Sequence, residues 1–335
     1  MSDACPLCEA EDGWRARFWA AFPERDGDRA AFPLEVDPPV PSWHMVECAA
    51  CGAVYPRPHP SAEEIDRYYA EAAEPNEWEM AFYVRKDLTP GALDGEAEMA
   101  EQVTRLNGRP GRLLEVGCAA GWQLKAAQEQ GWDVYGIEAA PKFSAFVRDH
   151  QHLDVFCGRL DDVDPDGLEP FDVVLAFDVF EHLHDPVAAL SRLRALVRPC
   201  ARLLVTTPDI SSPVARAWGL SWRQILPSHI TYSTPRSMRR VLERTGWRLV
   251  RVSEPRWFDP DPARERRNRG REIAKFAARL VLFALVIRPA RRWPRLERLP
   301  GALTLGRVSW SRFAFAVGDQ PVLGDVMLVV AEAVA

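Results

Sequence analysis

The chain has 335 residues, room for two ordinary domains or one large domain with an insertion. Its composition, 47% hydrophobic and 27% charged, is that of a globular protein with a core to bury, and it excludes a disordered, collagen-like or disulfide-stapled chain. The net charge of −6 hides an asymmetry: residues 264–298 hold twelve basic and three acidic side chains, while the remainder is strongly acidic, so the body should repel nucleic acid and one segment should attract anionic surfaces.

The N-terminus, MSDACPLCEAEDGW, is polar and acidic, and no run of 18 uncharged apolar residues follows it. A cytosolic protein without a spanning helix is therefore expected. Seven cysteines in such a chain should be reduced, so metal or chemistry must explain their spacing. Residues 1–58 hold two CxxC pairs, Cys5/Cys8 and Cys48/Cys51, separated by a proline-containing stretch of 39 residues. Two chelating thiolate pairs predict a zinc-binding module whose tetrahedral site has no open position, which makes the zinc structural. The remaining thiols, Cys118, Cys157 and Cys200, read as small buried hydrophobes. Residues 59–107 read as a helical linker or cap. Within it, Ser61 and Glu64 have capping-box spacing for a helix reaching Glu71, and a second helix is predicted over Asp94–Leu106.

From Arg112 short apolar runs alternate with helical ones, the pattern of a parallel α/β sheet. Strands are predicted over Leu113–Val116, Val134–Ile137, Val155–Cys157, Phe171–Phe177, Leu203–Thr206, Arg248–Val252 and Val326–Val330. Helices are predicted over Trp122–Gln130, Phe143–His150, Pro186–Val197 and Pro235–Thr245. Residues 257–322 interrupt the alternation before the last strand.

In LLEVGCAAG, Leu113 to Gly121, an apolar strand ends in a Gly-rich turn that opens a helix, so backbone can approach a ligand closely. A dinucleotide fingerprint would need glycine where Ala119 and Trp122 stand. The register is E-x-G-x-A-x-G, with Glu115, Gly117, Ala119 and Gly121. It resembles motif I of class I S-adenosylmethionine (SAM) methyltransferases, with Ala in place of the middle glycine. Glu138 follows at the end of the next strand, 17 residues past Gly121, where a carboxylate can accept hydrogen bonds from both ribose hydroxyls. The resemblance places Asp161 near the adenine and Phe177 and Asp178 along the cofactor, and it covers roughly Gly108 to Arg256 plus the final strand. It implies a Rossmann-like seven-stranded sheet over 108–256 and 323–335, in which GDVMLVVAEA, Gly324 to Ala333, inserts antiparallel as the last strand. The zinc module ahead of a SAM domain is similar in plan to sugar C-methyltransferases. The run Asp178-Val179-Phe180-Glu181-His182 is similar to an E-x-x-E-H run that holds a divalent metal in ubiquinone-pathway O-methyltransferases.

Three residues are candidates for the base or for acceptor contact: His182 after the fourth strand, and His229 and Tyr232 in PSHITYSTP. Each has a structural alternative, as an anchor or a loop residue. Trp218, Trp222 and Tyr232, with Arg216 and Arg223 nearby, could hold a sugar or pack on one another. The apolar stretch 273–287, flanked by Arg, fits either a peripheral membrane contact through 264–298, at the inner face of the membrane, or a core or homodimer helix. The expected function is methyl transfer from SAM to a hydroxyl or sugar carbon of a small-molecule or saccharide acceptor, with no nucleic-acid partner. Two alternatives stay open: a non-catalytic scaffold that keeps the fold, and an RNA methyltransferase using the zinc module and the basic insertion.

Overall fold

The computed structural model describes residues 4–11, 13–20, 43–61, 63–64, 93–218, 222, 224–226, 228–253 and 325–334. The insertion 257–322, most of the helix predicted from Ser61, Arg223 and the side chain of Trp218 lie outside the described residues. The start of that helix is described. Ser61 N–H donates to Glu64 Oε2 at 2.7 Å and Glu64 N–H to Ser61 Oγ at 3.2 Å, the reciprocal capping box its spacing predicts.

An N-terminal antiparallel sheet comprises β1 (Trp14–Ala20), β2 (Trp43–Cys48) and β3 (Val54–Pro56), in that order. The main sheet is built from β4 (Arg112–Val116), β5 (Asp133–Glu138), β6 (Val155–Cys157), β7 (Phe171–Phe177), β8 (Val197–Pro208), β9 (Trp247–Ser253) and β10 (Val326–Ala333). Its order is β6-β5-β4-β7-β8-β10-β9. β10 runs antiparallel to both of its neighbours, and the pairs from β6 to β8 are parallel. This is the Rossmann-like seven-stranded sheet expected from the sequence.

The strands read as continuous apolar runs because both faces are covered. The pleat sends Leu113, Val173, Leu175, Leu204 and Leu328 to one face, where α1 (Asp94–Asn107) and α2 (Trp122–Glu129) supply Met99, Val103 and Leu124. It sends Leu114, Val174, Leu203, Val205 and Val329 to the other, against α4 (Pro186–Ala195) and α6 (Pro235–Arg244). Between these, α3 (Pro141–Asp149) adds Val147 to the first face, and α5 (Pro213–Trp218) follows β8. Both helices of the second face start on capping side chains: Asp185 accepts Ala188 N–H at 2.8 Å, and Thr234 and Ser237 form a capping box.

Two cysteines depart from expectation. Cys118 is buried, but Cys157 and Cys200 are exposed. Cys200 adopts φ +64°, a left-handed position, within β8 where its register against β7 shifts, and its side chain is exposed there. β8 also begins at Val197, earlier than the apolar run alone suggests.

The cysteine module is seated on the main sheet's second layer. Val54 N–H donates to the Tyr232 carbonyl at 2.9 Å and Tyr232 N–H to the Val54 carbonyl at 2.8 Å. Thr234 Oγ1 donates to the Cys51 carbonyl at 3.1 Å. Cys5, Leu7, Cys51 and Ala53 join the same apolar cluster as Met238 and Val241.

Leu175 is fully buried at the centre of the sheet. Leu175→Ala should destabilise the fold by about 2–5 kcal/mol, read as a lower urea midpoint at unchanged slope.

Candidate functional site

The site forms at the carboxyl ends of β4, β5 and β7, where the strand order reverses between β4 and β7 and a crevice opens in sheets of this kind. β4 gives way at Gly117, whose φ is +70°, directly after Val116; Ala119 follows at +45° and Gly121 at +75°. Three left-handed residues in five coil the chain into a tight turn whose last member caps α2. A Cβ on Gly117 would lie 2.5 Å from Val179 Cγ2. That glycine is therefore needed both for its conformation and for the approach of the turn after β7.

Glu138 closes the turn from the neighbouring strand. Its Oε2 accepts Ala119 N–H at 2.8 Å and its Oε1 accepts Ala140 N–H at 2.7 Å. Burial raises its pKa, and these two backbone donors oppose the shift. Each carboxylate oxygen has two lone pairs, so acceptor capacity remains toward the crevice. Glu115, 2% exposed, has an Oε2 with no hydrogen-bond partner. Burial, followed by the charges of Glu138 and Glu96, raises its pKa well above the usual range. A buried carboxyl with an orphaned oxygen, beside a carboxylate with spare lone pairs, suits a cationic, hydroxyl-bearing ligand such as SAM. Asp161 is exposed in the short turn after β6, with Arg159 at 3.8 Å, and Phe177 is half-buried at the end of β7.

After β7, Asp178 takes φ +54°. Its N–H donates to the carbonyl and the hydroxyl of Thr206, and Thr206 Oγ1 donates to its Oδ1 at 3.0 Å. Asp178 is exposed, whereas Glu181, three residues on, is 1% exposed. The grouping Asp178/Glu181/His182 suggested by the E-x-x-E-H resemblance is not the one that forms. Donor atoms of Glu181, His182 and His229 instead lie within 4.8 Å of one another.

This cluster is held by backbone on every side. His182 Nδ1 lies 3.0 Å from the Ser228 carbonyl and His229 Nδ1 lies 2.9 Å from the Gln224 carbonyl. A carbonyl only accepts, so Nδ1 carries the proton in each ring and Nε2 is the basic nitrogen. His229 Nε2 is 4.0 Å from Glu181 Oε1, and Glu181 Oε2 accepts Thr207 Oγ1 at 3.0 Å. The two imidazoles meet edge to face at 4.7 Å. Burial lowers the pKa of His182 to about 4, and burial and then His182 lower that of His229 well below the usual value. Burial, with a smaller part from Asp178, lifts Glu181 to about 8. At neutral pH the cluster therefore holds two neutral imidazoles and a protonated carboxyl.

Tyr232 is 1% exposed, with its hydroxyl donating to the Gln224 carbonyl at 3.0 Å. Trp222 is also buried, 6.1 Å from Tyr232, and its Nε1 reaches Asp325 Oδ2 at 3.4 Å. Both rings are buried, packed on one another as one of the two expected arrangements has it. The partnership of Glu181 with His229 went unpredicted because 48 residues separate them in the chain.

The four N-terminal thiols converge from two loops. Cys5 Sγ is 3.6 Å from Cys51 Sγ, Cys8 Sγ is 3.6 Å from Cys48 Sγ, and all four sulfurs lie within 4.8 Å of one another. A zinc ion about 2.3 Å from each sulfur would need nearly this spacing. The residues fit that ion.

Two outcomes test the geometry. Gly117→Ala should lower affinity for S-adenosylhomocysteine (SAH) by about tenfold or more, because the added methyl collides with Val179 at a strained φ; calorimetric titration measures it. Glu181 has a folded pKa above its unfolded value, so its stabilising contribution is complete below about pH 4.5 and is lost as pH rises through about 8. Thermal melts of Glu181→Gln should therefore gain on wild type as pH rises from 5 to 8.

A family model described as a methyltransferase domain matches residues 92–252. A ubiquinone biosynthesis O-methyltransferase of Rhodopseudomonas palustris (strain BisB5) is 36% identical over 102 residues, covering 29% of this chain and 39% of that protein. The same-named protein of Xylella fastidiosa (strain 9a5c) is 31% identical over 101 residues, covering 29% and 41%. The chain thus spans about two fifths of the length of the curated relatives it matches. The plantazolicin methyltransferase BpumL, solved with a desmethyl plantazolicin analogue and SAH, aligns at a TM-score of 0.46 and 12% identity, covering 78% of this chain and 93% of that one. The family match thus falls on residues 92–252, the stretch that holds the turn built on Gly117 and six of the seven strands of the main sheet.

Proposed function

We propose that this protein transfers the methyl group of SAM to a hydroxyl of a small-molecule acceptor, and that its four N-terminal cysteines hold one structural zinc. The observation that carries the reading is the clamp of Glu138 on Ala119 N–H beside the turn that bears Glu181 and His182. SAM supplies an activated sulfonium methyl, so the protein's main task is alignment, worth about 7–11 kcal/mol. Glu115 and Glu138 hold the cofactor's cationic and ribose groups on this reading, with Asp161 at its adenine end and Phe177 along it. An oxygen acceptor is supported by the name of the relatives, O-methyltransferase. Attack by that oxygen breaks the bond from methyl to sulfur and releases SAH, and the hydroxyl proton passes to an unprotonated imidazole. His229 Nε2 is suited to it, since the Gln224 carbonyl fixes its tautomer and burial keeps it neutral. Glu181 then faces the imidazolium. The N-terminal cysteine module, similar in plan to that of sugar C-methyltransferases, supports a second reading in which the acceptor is a saccharide, methylated at a hydroxyl or at a carbon.

Titration of intact protein with SAH, beside Glu138→Ala and a zinc assay, tests the cofactor and the metal together. Binding lost by about tenfold or more in the variant, with one zinc per chain, is the expected result; no binding by intact, zinc-loaded protein contradicts the reading. His229→Asn should lower turnover by about 10²–10⁴-fold with SAH affinity unchanged, measured by mass-spectrometric methyl transfer across phenolic, alcoholic and saccharide acceptors.

A further inference from the structure

The cysteine module touches one half of the site. β3 uses one edge to pair with β2, with Val46 opposite Tyr55 and Glu47 opposite Val54. Its other edge is given to Tyr232 through the reciprocal 2.9 and 2.8 Å bonds of Val54. Only Gly52 and Ala53 separate Val54 from the thiol of Cys51. The turn between them is wound tightly: Gly52 N–H donates to the Cys48 carbonyl at 2.8 Å, and Cys48 N–H to the Ala53 carbonyl at 2.9 Å. Ligation of Cys48 and Cys51 to one ion would fix this turn and with it the direction of β3.

The segment held by β3 carries His229. Its far side is tied to the turn after β7, where the Glu181 carbonyl accepts Ile230 N–H at 3.0 Å and Thr231 N–H at 3.1 Å. The strip from His229 to Tyr232 is thus suspended between two supports, one catalytic and one belonging to the cysteine module. The cofactor half is different. The hydrogen bonds described for Ala119 and Glu138 run among the turn after β4, β5, α3 and the turn after β6, and none of them reaches the cysteine module. A three-stranded sheet buries too little apolar surface to keep its shape alone, so its geometry follows its metal.

We propose that the cysteine module is a positioning element for the acceptor half of the site: metal at Cys51 fixes Val54, and Val54 fixes the strip that carries His229. The inference rests on the zinc and methyltransferase reading above and adds to it a division of labour. Metal occupancy governs the acceptor side and leaves cofactor binding untouched. Val54 acts here as a positioning residue, through a backbone N–H.

The test uses the full chain and separates this inference from the reading beneath it. Val54→Pro removes the N–H that donates to Tyr232 and keeps all four thiols; Val54→Ala keeps that N–H. Zinc content, SAH affinity, hydrogen exchange and the imidazole NMR signal of His229 are measured on both variants, on wild type and on chelator-stripped wild type. The expected result is that Val54→Pro binds one zinc and SAH like wild type. Exchange at residues 230–232 nevertheless rises by about tenfold or more, the His229 signal shifts, and residues 115–121 stay protected. Stripped wild type should show the same local pattern, and Val54→Ala should match wild type. Protection of 230–232 persisting in both Val54→Pro and stripped protein would overturn the inference. So would an equal rise across 115–121 with loss of SAH affinity in Val54→Pro, because the effect would then be global. Wild type that holds no zinc overturns the zinc reading and this inference together, whereas wild type that holds zinc but no SAH overturns the cofactor reading.

Discussion

The carboxylate of Glu138 is the constraint on which the site depends. It is buried at the end of β5, and a charge there is tolerable only with donors aimed at it. The protein supplies two backbone N–H groups, from Ala119 and Ala140. To bring Ala119 within reach, the chain after β4 must turn through left-handed positions at Gly117, Ala119 and Gly121. That coil sets the start of α2 and leaves the gap into which Val179 fits. The turn after β7 is in this way registered against the turn after β4, and Glu181 and His182 come with it.

A second set of contacts organises the other side. Insertion of β10 between β8 and β9 closes the sheet, and Asp325 at its start gives a carbonyl to Asp209 N–H at 3.0 Å and a carboxylate oxygen to Trp222. The strip from Ser228 to Thr234 then lies across the ends of β7 and β8, bonded to the Glu181 carbonyl and, through Ser233, to Ile210. His229, Glu181 and His182 are brought together by this strip. Their rings are neutral because burial makes the imidazolium costly, and the Glu181 carboxyl keeps its proton for the same reason. No helix among the described residues is long and apolar enough to cross a membrane.

Much of this was legible in the sequence because it is local. Apolar runs of three to seven residues mark the strands, and the register of Glu115, Gly117, Ala119 and Gly121 marks the tight turn after β4. The Ser61 and Glu64 pair announced its own capping box. What could not be read is what depends on distant segments. Glu181 meets His229 only through the fold, and nothing in the dipeptide Glu181-His182 separates a partner for His229 from a partner for Asp178. For Tyr232 and Trp222 the sequence leaves acceptor contact and mutual packing equally open, because aromatic residues in a segment over a sheet have the same composition whether they face in or out. Cys200 reads as a buried thiol from residue type alone; a left-handed backbone position within β8 accompanies its exposure instead.

On the proposed function, the Glu138-clamped turn binds SAM with its sulfur facing the turn that carries Glu181 and His182. A crystal structure of the protein with SAH is the decisive measurement. The expected result is the ribose hydroxyls on Glu138, the amino group toward Glu115, and the sulfur directed at the crevice beside Val179 and His182. SAH bound elsewhere, or bound with its ribose away from Glu138, would contradict it.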